Sequence, residues 1–281
     1  MSKAGERRAP SLGYTWRNTE SRGAARGRYC KGSTDVLGPR RRGSCCSRGG
    51  RCRLLRHEKG SGLMAFDELY DEFERREAEA LAMGGPERLE RRRNAGLLNA
   101  RERIEFLVDS GSWVESGLFA TSHIASDRKS TPGDGKITGY GAIDGREAVI
   151  VSNDFTVKGA SSSVVNMRRI GQMRRTASER GIPMVFLGES SGARIPDNMG
   201  AYNMGTILGG DATQYRRLRE QPWASAVLGM AYGSATWYGC LSDFNVMRKG
   251  AVMAVSSERL VSMAIGEKVD GQELGGWRMH T

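Results

Sequence analysis

Two runs of small residues sit where an apolar strand is expected to turn into a helix. Glu189-Ser190-Ser191-Gly192-Ala193-Arg194 follows the apolar Met184 to Leu187, and Gly229-Met230-Ala231-Tyr232-Gly233-Ser234-Ala235 follows the apolar Ala224 to Leu228. Small side chains at such a turn let backbone N–H groups come close to a ligand and line up with the helix dipole. That arrangement suits an anion or a developing oxyanion. One loop of this kind more often serves only a tight turn, but two about 40 residues apart argue for a shared purpose. Neither carries the Gly-Lys-Ser/Thr ending of a phosphate-cradling loop or the Gly-x-Gly-x-x-Gly of a dinucleotide loop, so both of those chemistries are excluded.

Ser190, Ser191 and Ser234 offer hydroxyl nucleophiles, which need a base. The histidines are His57, His280 near the end of the chain, and His123 in a Ser/Thr-rich loop with no strong positional claim. A Ser-His-Asp site is therefore not expected. A serine-lysine arrangement through Lys158 or Lys249 stays open. Four of the five cysteines, Cys30, Cys45, Cys46 and Cys52, lie early in the chain without a Cys-x2-Cys knuckle, and His57 does not repair the spacing. No zinc site and no disulfide framework is expected, and Cys240 alone in the remainder fits a reducing compartment.

The elements that must position the two loops read as alternating helices and strands. Phe66, Leu69, Tyr70, Phe73, Ala80 and Leu81 share one helical face, ended by Gly84-Gly85-Pro86, and Leu97, Ala100, Ile104, Leu107 and Val108 share another. The basic run Arg91-Arg92-Arg93 between them reads as a solvated face, with a phosphate site as the alternative. Lys136–Ile143 and Glu147–Ser152 read as strands joined by Asp144-Gly145, a hairpin. Ser161 to Arg180 has Val164, Met167, Ile170, Met173 and Ala177 at helical spacing, the methionines as core, with Gly181 closing the helix. Further strands are expected at Asn245–Met247 and Val252–Val255, and a helix over Ser257–Ile265. This is an α/β pattern.

Residues 1 to 62 differ. They hold sixteen Lys and Arg against four Asp and Glu, a net of +12, so the +11 of the whole 281-residue chain belongs to this arm. Rich in Gly and Ser and nearly free of Val, Ile and Phe, the arm is expected to be disordered. Its preferred reading is an extension upstream of a start at Met64, ahead of an organellar transit peptide or a nucleic-acid-binding tail, so nucleic acid is not an expected partner. No apolar run approaches the ~18 residues of a membrane span. The cytoplasm is the expected location, with the mitochondrial matrix as the alternative.

From about Glu87 to Thr281 the chain resembles the N-terminal half of the carboxyltransferase subunit of biotin-dependent acyl-CoA carboxylases, the propionyl-, acetyl- and methylcrotonyl-CoA carboxylase group. The resemblance rests on Asn99-Ala100-Arg101-Glu102-Arg103-Ile104, Asp109-Ser110-Gly111-Ser112-Trp113-Val114-Glu115, Gly135-Lys136-Ile137-Thr138-Gly139-Tyr140-Gly141, Asp154-Phe155-Thr156-Val157-Lys158-Gly159-Ala160-Ser161, Ser190-Ser191-Gly192-Ala193-Arg194-Ile195 and Glu273-Leu274-Gly275-Gly276-Trp277. It implies a crotonase/ClpP-like spiral of ββα units over residues 64 to 281. It further implies that carboxybiotin on a partner carrier delivers a carboxyl group to the α-carbon of an acyl-CoA. Ser191, Gly192, Ala193, Gly233 and Ser234 would then give backbone N–H groups to the thioester oxygen. Gly159, Ala160, Arg194 and Arg101 would stand on the CoA side, although a structural brace is the preferred reading of Arg194 and a structural salt bridge that of Arg101 and Arg103.

The sequence departs from the family at Ser191-Gly192 and Gly159-Ala160, where many relatives have Gly-Gly. It also stops shortly after Gly275-Gly276, where single-chain relatives continue into a second half bearing the biotin-side oxyanion hole. The resemblance therefore implies as partners a biotin carboxylase and biotin carrier subunit, the second carboxyltransferase half, and further copies in a homo-oligomer. An exposed apolar interface is expected, and the alternatives to this function are another crotonase-superfamily enzyme acting on a CoA thioester, by hydrolysis or decarboxylation, and an inactive fragment.

Overall fold

The computed structural model describes residues 66–198 and 220–281. The arm at 1 to 62, its cysteines and Met64 lie outside them. The chain enters through three helices, α1 (Asp67–Leu81), α2 (Pro86–Asn94) and α3 (Ala100–Leu107). Asn99 fixes the start of α3: its side chain accepts the Arg101 and Glu102 N–H groups, and the Glu102 carboxylate accepts the Asn99 N–H at 2.8 Å. This reciprocal cap places the first turn after Leu97, where the apolar periodicity begins. The apolar face of α1 is mostly uncovered, with Phe66, Leu69, Tyr70 and Phe73 all more than half exposed. Helical spacing shows which side chains share a face, whereas burial needs a partner surface.

The seven strands form one sheet in the order β1-β2-β3-β4-β5-β6, with β7 also on β5. Strands β1 (Val114–Ser116), β2 (Lys136–Ile143) and β3 (Arg146–Asn153) pair antiparallel. Asp144 and Gly145 supply the two positive φ angles of the expected hairpin, 50° and 75°, and Asp109 accepts both of their N–H groups. Helix α4 (Val164–Arg180), capped by Ser163 and closed by left-handed Gly181, crosses over to the parallel strand β4 (Met184–Ser191). Ile170, Met173 and Ala177 of α4 fill the main core with Val149, Val151, Phe186, Trp223 and Val227. The short helix α5 (Ile195–Asn198) follows β4. Strand β5 (Trp223–Tyr232), helix α6 (Ser234–Leu241), strands β6 (Phe244–Met247) and β7 (Val252–Ala254), and helix α7 (Glu258–Ile265) complete the framework.

Two strands run further than their apolar stretches. β4 includes Glu189, Ser190 and Ser191, and β5 continues to Tyr232, so the second small-residue stretch is strand up to Gly233. The reason is local. The register slips from Gly188 opposite Val227 to Ser190 opposite Ala231, and within this bulge Gly229 lies against the Glu189 side chain. A Cβ on Gly229 would sit 2.3 Å from the Glu189 carboxylate, so only glycine fits.

Glu189 corrects the reading of the basic run at one residue, since Arg91 and Arg93 are exposed as expected but Arg92 is not. Arg91-Arg92-Arg93 belongs to α2, and Arg92, 9% exposed, is not on a solvated face. It grips both carboxylate oxygens of Glu189 at 3.1 and 2.9 Å, while Arg103 of α3 reaches the same carboxylate at 2.8 Å. Burial pushes the Arg103 guanidinium below its ordinary value, and the Glu189 charge opposes that shift. Replacing Glu189 with Leu strands two buried cations, so Glu189→Leu is expected to lose about 3–5 kcal/mol of stability, read from the urea unfolding curve. A loss under about 1 kcal/mol would show that the α2–α3 layer is held by other contacts.

Candidate active site

The carboxyl ends of parallel strands β4 and β5 are where an α/β sheet ordinarily receives a ligand, and both glycine turns lie there. Gly192 has φ +104°, and Gly233 has φ 62° with ψ −121°, backbone that side chains strongly disfavour. The turns touch: a Cβ on Gly233 would lie 3.5 Å from the Gly192 Cα. A third turn joins them. Lys158, Gly159 and Ala160 are consecutively left-handed, at φ 47°, 62° and 50°, and a Cβ on Gly159 would come within 2.6 Å of the Ser191 Oγ. Ser191, Gly192, Ala193, Gly233, Ser234, Gly159 and Ala160 therefore meet in one place.

Ser162 stitches the turns together. Its N–H donates to the Gly192 carbonyl and its carbonyl accepts the Arg194 N–H, each at 2.8 Å, while its hydroxyl meets that of Ser234 at 2.5 Å. The amides of the glycines themselves are taken: Gly192 N–H donates to the Ser190 Oγ at 3.1 Å, and Gly233 N–H to the Val255 carbonyl at 3.2 Å. By contrast, the N–H groups of Ala193 and of Ser234, the first residue of α6, find no acceptor among the described residues. An α-helix leaves its first N–H groups without internal partners, which accounts for Ser234.

Arg194 lies beneath this surface, 6% exposed. Its guanidinium pairs with Asp134 at 2.5 Å and bonds the Ser161 hydroxyl and carbonyl at 3.1 and 3.3 Å. Asp134 in turn holds the Ser163 hydroxyl and the Asn166 N–H at the start of α4. In this geometry Arg194 braces the loop from inside. Arg101 pairs with Glu115 at 2.6 Å, tying α3 to β1.

The side chains weighed as bases are otherwise engaged. Lys158 lies 3.5 Å from Asp127, and the Lys249 ammonium sits over the Trp277 ring at 6.0 Å. His123 gains a partner that its sequence context did not show: its Nδ1 is 3.4 Å from the buried Asp197, which also accepts the Ser122 hydroxyl. Among the described residues no group of three or more His, Cys, Asp or Glu side chains is placed to hold a metal.

Sequence reasoning missed two residues. Ser162 carries no signal in its type. Lys136, at the head of β2, is 1% exposed and donates to the Ala160 carbonyl at 2.7 Å, and its signals in the sequence are a cation opening a mostly apolar strand and a place in the motif from Gly135 to Gly141.

Comparison with known proteins bears on the same region. Residues 91–281 match the carboxyl transferase domain family. The propionyl-CoA carboxylase carboxyltransferase subunit of Haloferax mediterranei is 34% identical over 226 residues, which cover 78% of this chain and 43% of that protein. The methylmalonyl-CoA decarboxylase subunit alpha of Veillonella parvula is 32% identical over 208 residues, covering 72% and 40%. Transcarboxylase 12S, solved with hydrolysed methylmalonyl-CoA bound, superposes with a TM-score of 0.69 at 29% identity, over 78% of this chain and 44% of that one. The chain spans less than half the length of each of these relatives. The crotonase-like α/β architecture is thus shared, and with most of its length from Arg91 onward matching, the chain belongs to the carboxyl transferase domain family.

Proposed function

We propose that this chain is the acyl-CoA-binding half of a biotin-dependent carboxyltransferase, acting on the α-carbon of a short acyl-CoA such as propionyl-CoA. The observation that carries the reading is the convergence of two glycine turns, with the Ala193 and Ser234 N–H groups left without acceptors among the described residues. When the α-carbon of a thioester gives up its proton, negative charge gathers on the thioester oxygen. Amides already fixed in place stabilise that charge without reorganising. The Ser162 stitch and the Arg194–Asp134 pair supply the rigidity. The names of the relatives support the substrate class.

Biotin, when bound, supplies the carboxyl group and no part of the thioester site. We assign this chain's residues to holding the acyl-CoA and excluding water, with Gly159 and Ala160 beside the CoA chain. Hydrolysis by a side-chain base is the rival. It needs an uncommitted carboxylate at the turns, but Glu189, Asp134 and Asp197 are buried, and each faces an arginine.

The remaining parts of such an enzyme are a biotin carrier with its biotin carboxylase, the second carboxyltransferase half, and further copies of the chain. Transcarboxylase 12S assembles as a hexamer. We place the second half against exposed apolar side chains, Phe244 and Val246 of β6 and Leu260, Met263 and Ile265 of α7.

Isothermal titration of the 281-residue chain is expected to show propionyl-CoA binding more tightly than CoA, and equal affinities would overturn the acyl site. Proline at 193 deletes one N–H. Ala193→Pro is therefore expected to lower carboxyl transfer in the assembled enzyme by roughly 10²–10³-fold, measured as steady-state kcat, with CoA affinity little changed. An unaltered kcat would remove Ala193 from the oxyanion site.

A further inference from the structure

Lys136 has no part in the function proposed above, yet among the described residues it is one of the largest fully buried side chains. An ammonium group at that depth must be well compensated or displaced by a better core residue. Among the described residues it forms no ion pair, and its recorded bond is to one carbonyl, that of Ala160, at 2.7 Å.

That carbonyl is a junction. Ala160 is a non-glycine residue in left-handed backbone, φ 50°, and ends the turn that packs on Ser191. Its oxygen also accepts the Ser190 hydroxyl at 3.1 Å, and the Ser190 Oγ accepts the Gly192 N–H at 3.1 Å. A hydroxyl has one proton. The Gly192 carbonyl competes for it at 3.4 Å, a longer contact than the 3.1 Å to Ala160, and given to Ala160 it leaves the oxygen lone pairs turned toward Gly192. A continuous chain therefore runs from the Lys136 ammonium through the Ala160 carbonyl and the Ser190 hydroxyl to the Gly192 amide. With the Gly192 amide turned inward, the next amide along, that of Ala193, is the one left over.

We propose that Lys136 is a positioning residue: through the Ala160 carbonyl and Ser190 it commits the Gly192 amide to the interior and leaves the Ala193 amide for the ligand. The ligand part of this rests on the function proposed above, whereas the hydrogen-bond chain does not.

The charged groups around Lys136 make the device responsive to pH. Burial, reinforced by Arg194, lowers its pKa to about 7, against the pull of Asp134, Asp154 and Glu189. Asp134 is paired with Arg194, and Glu189 with Arg92 and Arg103, so neither carboxylate is held for the lysine. The folded value lies below that of the unfolded chain. Above about 7 the unfolded chain therefore binds the extra proton, and this group's contribution to stability rises with pH until the ordinary lysine range. Over the same rise the bond to Ala160 loses its charge assistance and the turn loosens.

The test is amide hydrogen exchange of the ligand-free 281-residue chain, read at Gly192 and corrected for intrinsic rates, alongside propionyl-CoA titration. In Lys136→Met, Gly192 protection and propionyl-CoA affinity are each expected to fall by about tenfold at pH 6, as for one lost charge-assisted bond. Ser190→Ala is expected to produce the same loss, with no further loss in the double variant. Wild-type protection should decline between pH 6 and 8, while the profile of Lys136→Met stays flat. Unchanged Gly192 protection in Lys136→Met overturns the proposal. If that variant does not fold, unchanged protection in Ser190→Ala overturns it equally. A wild-type chain that shows the expected exchange but does not bind propionyl-CoA would sink the proposed function and leave the positioning role standing.

Discussion

The structure around the turns depends on one buried carboxylate. Glu189 is 3% exposed near the carboxyl end of β4, where the register with β5 slips. A charge so placed costs several kcal/mol of desolvation unless it is fully partnered. Two arginines from two different helices provide that partnering, which fixes α2 and α3 against the end of the sheet. The same side chain needs space on the neighbouring strand, and the bulge at Gly229 provides it. Asn153 of β3 donates to the Glu189 carbonyl at 2.8 Å, so the backbone is held as firmly as the side chain. The positions of the turns that follow are consequences of this clamp.

A second ionic centre lies one layer nearer the turns. Asp134 joins Arg194 after β4 to Ser163 and Asn166 at the start of α4, so one carboxylate sets both the loop and the helix that crosses behind it. Such a network rigidifies its surroundings when every member is satisfied. That rigidity matters because left-handed backbone at Lys158 and Ala160 costs on the order of 1–2 kcal/mol per residue, and it persists only where neighbours overdetermine it. The chemistry proposed here uses backbone amides. A main-chain donor is positioned only as well as the peptide planes around it, which explains why so much buried charge surrounds turns built from glycine, alanine and serine.

The β6 edge of the sheet and the helix α7 differ in character. β6 and α7 present large apolar side chains to solvent, and α7 has no buried residue. A helix that is apolar along one stripe gains its stability by burying that stripe. The region matched here covers 43% of the Haloferax mediterranei relative and 44% of the transcarboxylase chain.

The sequence by itself determined what depends on near neighbours. The Asp144-Gly145 hairpin, the Gly181 cap of α4, its core face and the two glycine turns follow from turn chemistry and from periods of 2 and 3.6, which are local properties. The family followed from ordered motifs between Asn99 and Trp277. Tertiary structure alone decided the rest. Arg92 reads as a surface cation because its partner Glu189 is 97 positions away, and Lys136 reads as one more polar residue until the β2 register and the left-handed turn place Ala160 over it. Which amides remain unpaired was decided last. Gly192 and Gly233 carry the conformations that build the site, yet their own N–H groups are consumed in building it, leaving those of Ala193 and Ser234. Hydrogen-bond satisfaction is a property of the whole packed neighbourhood, so it can be counted only once the chain has folded.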